Sequence, residues 1–226
     1  MIRLLTLTLV TTTALSVAVL AAPTSERVRG TVESIAGNTV TVHPEQGADV
    51  KVTIGDNTKY VSVVKSNLSD VAEGSYIGTA TKGSGDFLVA LEVVVFPPAM
   101  RGTGDGHYPW DKLPDPTTGN ASVASAMTNG AVATASPAST QEVSSAMTNG
   151  NVQSSSEQGG AKKLTVTYKG GQQTILVPPT APIVALQPAD KAVLKQGAQI
   201  VAFAQNDDGT LTAGMIAVGD GVKPPM

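Results

Sequence analysis

Apolar and polar positions alternate with a period of two through most of the chain from Val28 to Phe96. Gly30-Thr31-Val32-Glu33-Ser34-Ile35 alternates up to a turn at Gly37-Asn38, and Val40 and Val42 then interleave with Thr39, Thr41 and His43. Val50, Val52 and Ile54 alternate with Lys51 and Thr53, and Tyr60 to Val64 extends the same pattern. A two-residue period with β-branched residues predicts half-buried strands. Ser66 to Gly74 breaks the alternation with a capping residue, a short helical turn and a glycine stop. Tyr76 to Thr81 and Phe87 to Phe96 predict two more strands across a Lys82–Asp86 turn. The last is apolar on both faces, Phe87, Val89, Leu91, Val93 and Val95 on one and Leu88, Ala90, Val94 and Phe96 on the other. One face would meet a core and the other a neighbour.

The same order returns in the second half. Leu164, Val166 and Tyr168 alternate before Gly170-Gly171, and Thr174 to Val177 answers as the return strand. Ile183 to Leu186 leads into a short helix over 188–197, and Ile200 to Gln205 and Leu211 to Val218 close the set. Gly74 and Gly197, Ile77 and Ile200, Leu88 and Leu211, Val93 and Ile216, and Val95 and Val218 are all 123 residues apart. A constant offset without gaps predicts an internal duplication. Five strands with a short helix between the third and fourth is the order of an OB-type barrel. The expected fold is therefore all-β, with two OB-like five-stranded barrels, one over 27–96 and one over 121–222. A Gly/Pro-rich connector spans 97–120. Val123 to Gly130 recurs as Val143 to Gly150, within a stretch rich in Ser, Ala, Thr and Asn. That composition predicts a low-complexity insertion at about 127–161, following a first strand at Ser122 to Ala126.

Composition narrows the classes further. There is no cysteine, so disulfides and thiolate metal sites are excluded. Lys and Arg total 15 against 18 Asp and Glu, and a net charge of −3 provides no basic footprint for nucleic acid. Arg3 followed by an uncharged run from Leu4 to Leu20, with Val19-Leu20-Ala21 as a small-x-small site, predicts a signal peptide cut before Ala22. No later stretch reaches membrane length, so no span is expected after cleavage. The expected location is periplasmic or secreted.

The rarest residues concentrate in Met100-Arg101-Gly102-Thr103-Gly104-Asp105-Gly106-His107-Tyr108-Pro109-Trp110-Asp111. Its glycine spacing and its prolines match neither a dinucleotide fingerprint nor a P-loop. Two readings stand. In one, Tyr108 and Trp110 plug a cleft between two barrels, with Arg101 pairing with Asp105 or Asp111 at the surface. In the other, Arg101, Asp105, His107, Tyr108, Trp110 and Asp111 contact a ligand, Tyr108 and Trp110 acting as a stacking platform. A metal alternative draws on His43, Met100 and His107. The strand from Gly30 to His43 looks like the start of small periplasmic copper-binding OB barrels, but the Trp and Met pair that follow it there have no equivalent here. No Gly-x-Ser-x-Gly elbow is present and only two histidines could act as bases, so no enzyme is expected. The cofactor stays unknown, and the partner is a small ligand or an envelope protein.

Taken with Val28-Arg29-Gly30-Thr31-Val32, the Met-Thr-Asn-Gly element and the closing Gly221-Val222-Lys223-Pro224-Pro225-Met226, the central motif resembles an uncharacterised family of exported proteobacterial β-barrel proteins. Some of its members are labelled "metal ABC transporter permease". The resemblance covers nearly all of the chain beyond the signal. It implies a periplasmic β-protein without an assigned activity, and the absence of further spans conflicts with the permease label.

Overall fold

A computed structural model describes residues 24–84, 87–119, 121–137 and 160–224. The expected signal peptide and the second Met-Thr-Asn-Gly element lie outside the described residues. The protein is all-β. Its strands are β1 (Thr24–Ala36), β2 (Thr39–His43), β3 (Val50–Thr53), β4 (Lys59–Lys65), β5 (Tyr76–Ser84), β6 (Phe87–Phe96) and β7 (Gly106–Pro114). Then follow β8 (Ser122–Pro137), β9 (Lys162–Tyr168), β10 (Gly171–Val177), β11 (Ile183–Ala189), β12 (Gln199–Asp207) and β13 (Thr210–Gly219). The two expected short helices are single 3-10 turns, Leu68–Asp70, where Asn67 N donates to Asp70, and Lys191–Val193, where Ala192 N donates to Asp190. Residues 127–137, expected within the insertion, continue β8, and 138–159 lie outside the described residues.

Strand pairing differs from a reading in which each half closes on itself. β1, β2, β3, β13 and β12 pair in a closed circuit, antiparallel except for β3 with β13. β8, β9, β10, β6 and β5 form a second circuit, antiparallel except for β10 with β6. Each circuit thus takes three strands from one half of the chain and two from the other. Between them β4 and β11 pair antiparallel, β4 running parallel to β13 and β11 to β6. Alternation specifies a strand and its inward face but not its partner. Two halves with the same pattern therefore leave the exchange open.

Details recur at constant offsets. Val32 N donates to Ala198 O and Val132 N to Ser75 O, both at 2.8 Å, while Gly197 N donates to Val32 O and Gly74 N to Val132 O. Bulges fall between Val32 and Ser34 and between Val132 and Thr134. Gly30 and Gly130 stand at matching close approaches, where a Cβ would lie 2.2 Å from the carbonyl oxygen of His43 and of Thr167. Only glycine fits so close to a neighbouring backbone.

A further bulge corrects the expected faces of β6. Ala80 pairs with Glu92 and Thr81 with Ala90, leaving Leu91 unopposed. The extra residue reverses the alternation, so Leu88, Ala90, Val93 and Val95 face one circuit's core. Leu211, Ala213, Ile216 and Val218 of β13 do the same in the other, around an irregularity opposite Phe203 and Ala204. A third apolar cluster, with Val61, Val63, Val94, Val184, Leu186 and Ala217, joins the circuits. Among the described residues no helix is long and apolar enough to cross a membrane.

Candidate functional site

The Gly/Pro-rich connector builds a strand. Gly102, Gly104 and Gly106 have φ of 87°, 61° and 144°, so the chain turns through conformations that side-chain-bearing residues avoid. It then enters β7, which pairs with β8 so that Gly106, His107 and Tyr108 stand opposite Asn129, Thr128 and Met127. Among the described residues β8 is the only strand that pairs with β7, and edge strands tolerate Pro109 and Pro114. Met127-Thr128-Asn129-Gly130 is therefore a buried strand segment facing the connector.

Each residue of the motif has a distinct partner. Arg101 donates from Nη2 to Gly74 O at 2.5 Å and lies 5.8 Å from the Tyr76 ring centre. Asp105 accepts from Lys169 N at 3.0 Å and faces the Tyr76 hydroxyl at 3.5 Å. Burial, reinforced by the Asp105 charge, pushes the Tyr76 phenol up to about 12. His107 Nδ1 is 2.9 Å from Thr128 Oγ1, and its ring stacks on Tyr168 at 6.2 Å. Trp110 meets Tyr108 edge to face at 5.9 Å.

The plug reading has Arg101 pairing with Asp105 or Asp111, and Asp111 pairs instead with two arginines of β1. It accepts from Arg27 Nε at 3.1 Å and Nη2 at 2.8 Å, and Arg29 Nη2 lies 2.7 Å away. The hydrogen bonds from Arg27 do most to hold its carboxyl below the usual range, and Arg29 adds to them against the effect of burial. Arg27 also covers Trp110 at 3.9 Å from the ring centre. Alternation places Arg27 and Arg29 on one face of β1, and the adjacent Trp110 and Asp111 of β7 both meet Arg27 there.

Where the circuits meet β7 lies a cavity of about 340 Å³. Arg27, Phe203, Met215 and Ala217 line one side, Val94, Phe96, Met127 and Leu186 another, and Tyr108 and Trp110 the β7 side. Four of the chain's eight aromatic residues line this one space, together with Val94, Leu186, Ala217, Met127 and Met215 and the polar Arg27 and Thr103. Gly78 and Asn129, paired across β5 and β8, complete the wall. Asn129 is 7% exposed, and its Nδ2 donates to Gly104 O and to the Tyr108 hydroxyl, both at 3.0 Å. Its Oδ1 is buried without a partner. Burial raises the Tyr108 phenol, which stays neutral at physiological pH.

The structure thus brings Tyr108, Trp110 and Asp111 together with Arg27. Arg101, Asp105 and His107 instead pin the connector to β5, β8 and the β9–β10 turn. His43, Met100 and His107 have separate surroundings. His43 Nδ1 lies 2.7 Å from Asp49, Met100 packs against the cluster joining the circuits, and His107 meets Thr128. Among the described residues no group of three or more His, Asp or Glu side chains is placed to hold a metal ion. Sequence reasoning missed Arg27, Gly78, Phe96, Asn129, Phe203 and Met215 as neighbours of the motif. The one available signal was the Met-Thr-Asn-Gly repeat, whose first copy supplies Met127 and Asn129. Comparison of the chain with protein-family models, curated proteins and solved structures returned no match.

Proposed function

We propose that this is an exported, non-enzymatic binding protein, and that the cavity beside β7 holds a small, largely apolar ligand. The observation that carries this reading is the gathering of Phe96, Tyr108, Trp110 and Phe203 around one space in a chain that is only 4% aromatic. A volume of about 340 Å³ suits a small molecule. The polar groups at its edge support binding rather than catalysis. Asp111 is engaged by two arginines and Tyr108 is neutral, so neither is poised to act as a base.

The architecture belongs to the same proposal. The chain is an internal duplication of an OB-like unit in which the last two strands of each copy complete the barrel of the other. The equal offsets, the matched bulges and the parallel pairing of β3 with β13 and of β10 with β6 support it. Export rests on the Arg3, Leu4–Leu20 and Ala21 pattern. It predicts that protein expressed in a Gram-negative host is recovered from the periplasm beginning at Ala22.

Titration of the purified protein with N-phenyl-1-naphthylamine tests the binding reading. Saturable one-to-one fluorescence enhancement is expected, weakened at least ten-fold by Ala217→Leu or Met215→Phe, each of which adds bulk to the cavity wall. No saturable binding, or binding unchanged in both variants, would overturn it.

A further inference from the structure

The charge at the cavity wall narrows the ligand class, an inference that rests on the binding reading above. Asp111 is one carboxylate shared by two guanidiniums. Its Oδ1 accepts from Arg27 Nη2 at 2.8 Å, and its Oδ2 lies 3.1 Å from Arg27 Nε and 2.7 Å from Arg29 Nη2. The three side chains together carry one surplus positive charge. Of the two arginines, Arg27 lines the cavity, and it is the only charged residue that does so. The rest of the wall is apolar or neutral, with Thr103, Tyr108 and Asn129 as its polar side chains. A ligand seated here covers part of a cation and strips its water, which is costly unless the ligand supplies an acceptor in return.

The guanidinium has donors to spare for one. It presents five N–H groups in a single plane. The fork onto Asp111 takes Nε–H and one N–H of Nη2. The second N–H of Nη2 and both of Nη1 remain, and one from each nitrogen point the same way off the end of the group. That end matches a second carboxylate by two parallel hydrogen bonds. Arg27 is 31% exposed, and none of its nitrogens is both buried and unpaired, so the end is open to a ligand. Trp110 lies 3.9 Å from the guanidinium and Asp111 holds its side edge. The group is therefore fixed in plane before any ligand arrives.

We infer that the cavity is selective for an apolar carboxylate, whose charged group takes the free end of the Arg27 guanidinium while its body packs among Trp110, Phe203 and Met215. A neutral ligand of the same shape makes weaker hydrogen bonds there. A cationic one meets like charge.

Three ligands with one ring system test this by isothermal titration calorimetry on the purified protein: indole-3-acetate, indole-3-acetamide and tryptamine. The carboxylate is expected to bind at least ten-fold more tightly than the amide, a ratio that corresponds to about 1.4 kcal/mol, and tryptamine is expected to bind most weakly. In Arg27→Gln the preference for the carboxylate is expected to vanish while the affinity for the amide stays within about two-fold. The comparison of ligands on the unaltered protein stands even if that variant fails to fold. Equal affinity for carboxylate and amide, or a preference that survives Arg27→Gln, overturns the assignment while leaving the binding reading intact. So does failure of the carboxylate to bind where N-phenyl-1-naphthylamine binds. Failure of all three, with N-phenyl-1-naphthylamine also failing, removes both.

Discussion

Arg27 lies 3.9 Å over the ring of Trp110 and forks onto Asp111, the next residue of β7. One side chain thus fastens the first strand of the chain to the connector 84 residues later. Both interactions use the planar guanidinium, which Lys cannot reproduce. Arg27→Lys should lower stability by about 1 kcal/mol, because the pair is only partly buried. It should also shift the emission of Trp110, the chain's only tryptophan, to longer wavelength. Denaturant unfolding followed by tryptophan fluorescence reads both, and an unchanged spectrum would show that Arg27 does not cover the ring.

Asp115 is 2% exposed and accepts from Lys82 Nζ, Thr117 and Thr118. Burial alone would raise its carboxyl. The hydrogen bonds, that of Lys82 foremost, outweigh it and bring the group down from 3.8 to about 2. A carboxyl lowered on folding contributes stability above its unfolded value and loses it as the pH falls through the folded one. The contribution, about 2 kcal/mol, should therefore be complete near neutrality and fade between about pH 4 and pH 2. Asp115→Asn should remove it at pH 7 and flatten the acid limb of the stability curve.

Gly30 and Gly130 meet the carbonyls of His43 and Thr167 at the same distance. Gly30→Ala and Gly130→Ala should each destabilise the protein by about 1–3 kcal/mol through overpacking against backbone. Gly37→Ala, with open space around its Cβ but φ of 60°, should cost less. Chemical denaturation of the three variants separates close approach from backbone strain.

The exchange of strands between the halves is open to cross-linking because the chain has no cysteine of its own. Val28 pairs with Ala202 across β1 and β12. The position equivalent to Ala202 in the first half is Thr79, 123 residues earlier. Val28→Cys with Ala202→Cys should oxidise to an intramolecular disulfide, and Val28→Cys with Thr79→Cys should not. The reverse result would mean that each half closes on its own strands.

The sequence showed where strands run because alternation such as Val40-Thr41-Val42 reflects burial of one face. The 123-residue register from Gly74 to Val218 was legible for the same reason. Partner choice was not, since β12 and β5 carry equivalent inward faces and either could pair with β1. The bulge at Leu91 was hidden because both faces of β6 are apolar, so reversing the phase leaves the pattern unchanged. β7 was hidden by Pro109 and Pro114, which an edge strand accepts and a pattern reading takes for a loop. Tyr108 and Trp110 stood out by rarity alone. Asn129 did not, because its neighbours in sequence are small polar residues that read as low complexity, while its buried setting comes from β5 and β7.

Amide-resolved NMR of the purified protein with added indole locates the binding site directly. The expected result is saturable shifts at the Asn129 side-chain amide, the Gly78 and Gly104 amides and the Trp110 indole N–H, with the His43–Asp49 region unmoved. Shifts confined to other surfaces, or none up to millimolar indole, would contradict a binding site in the cavity beside β7.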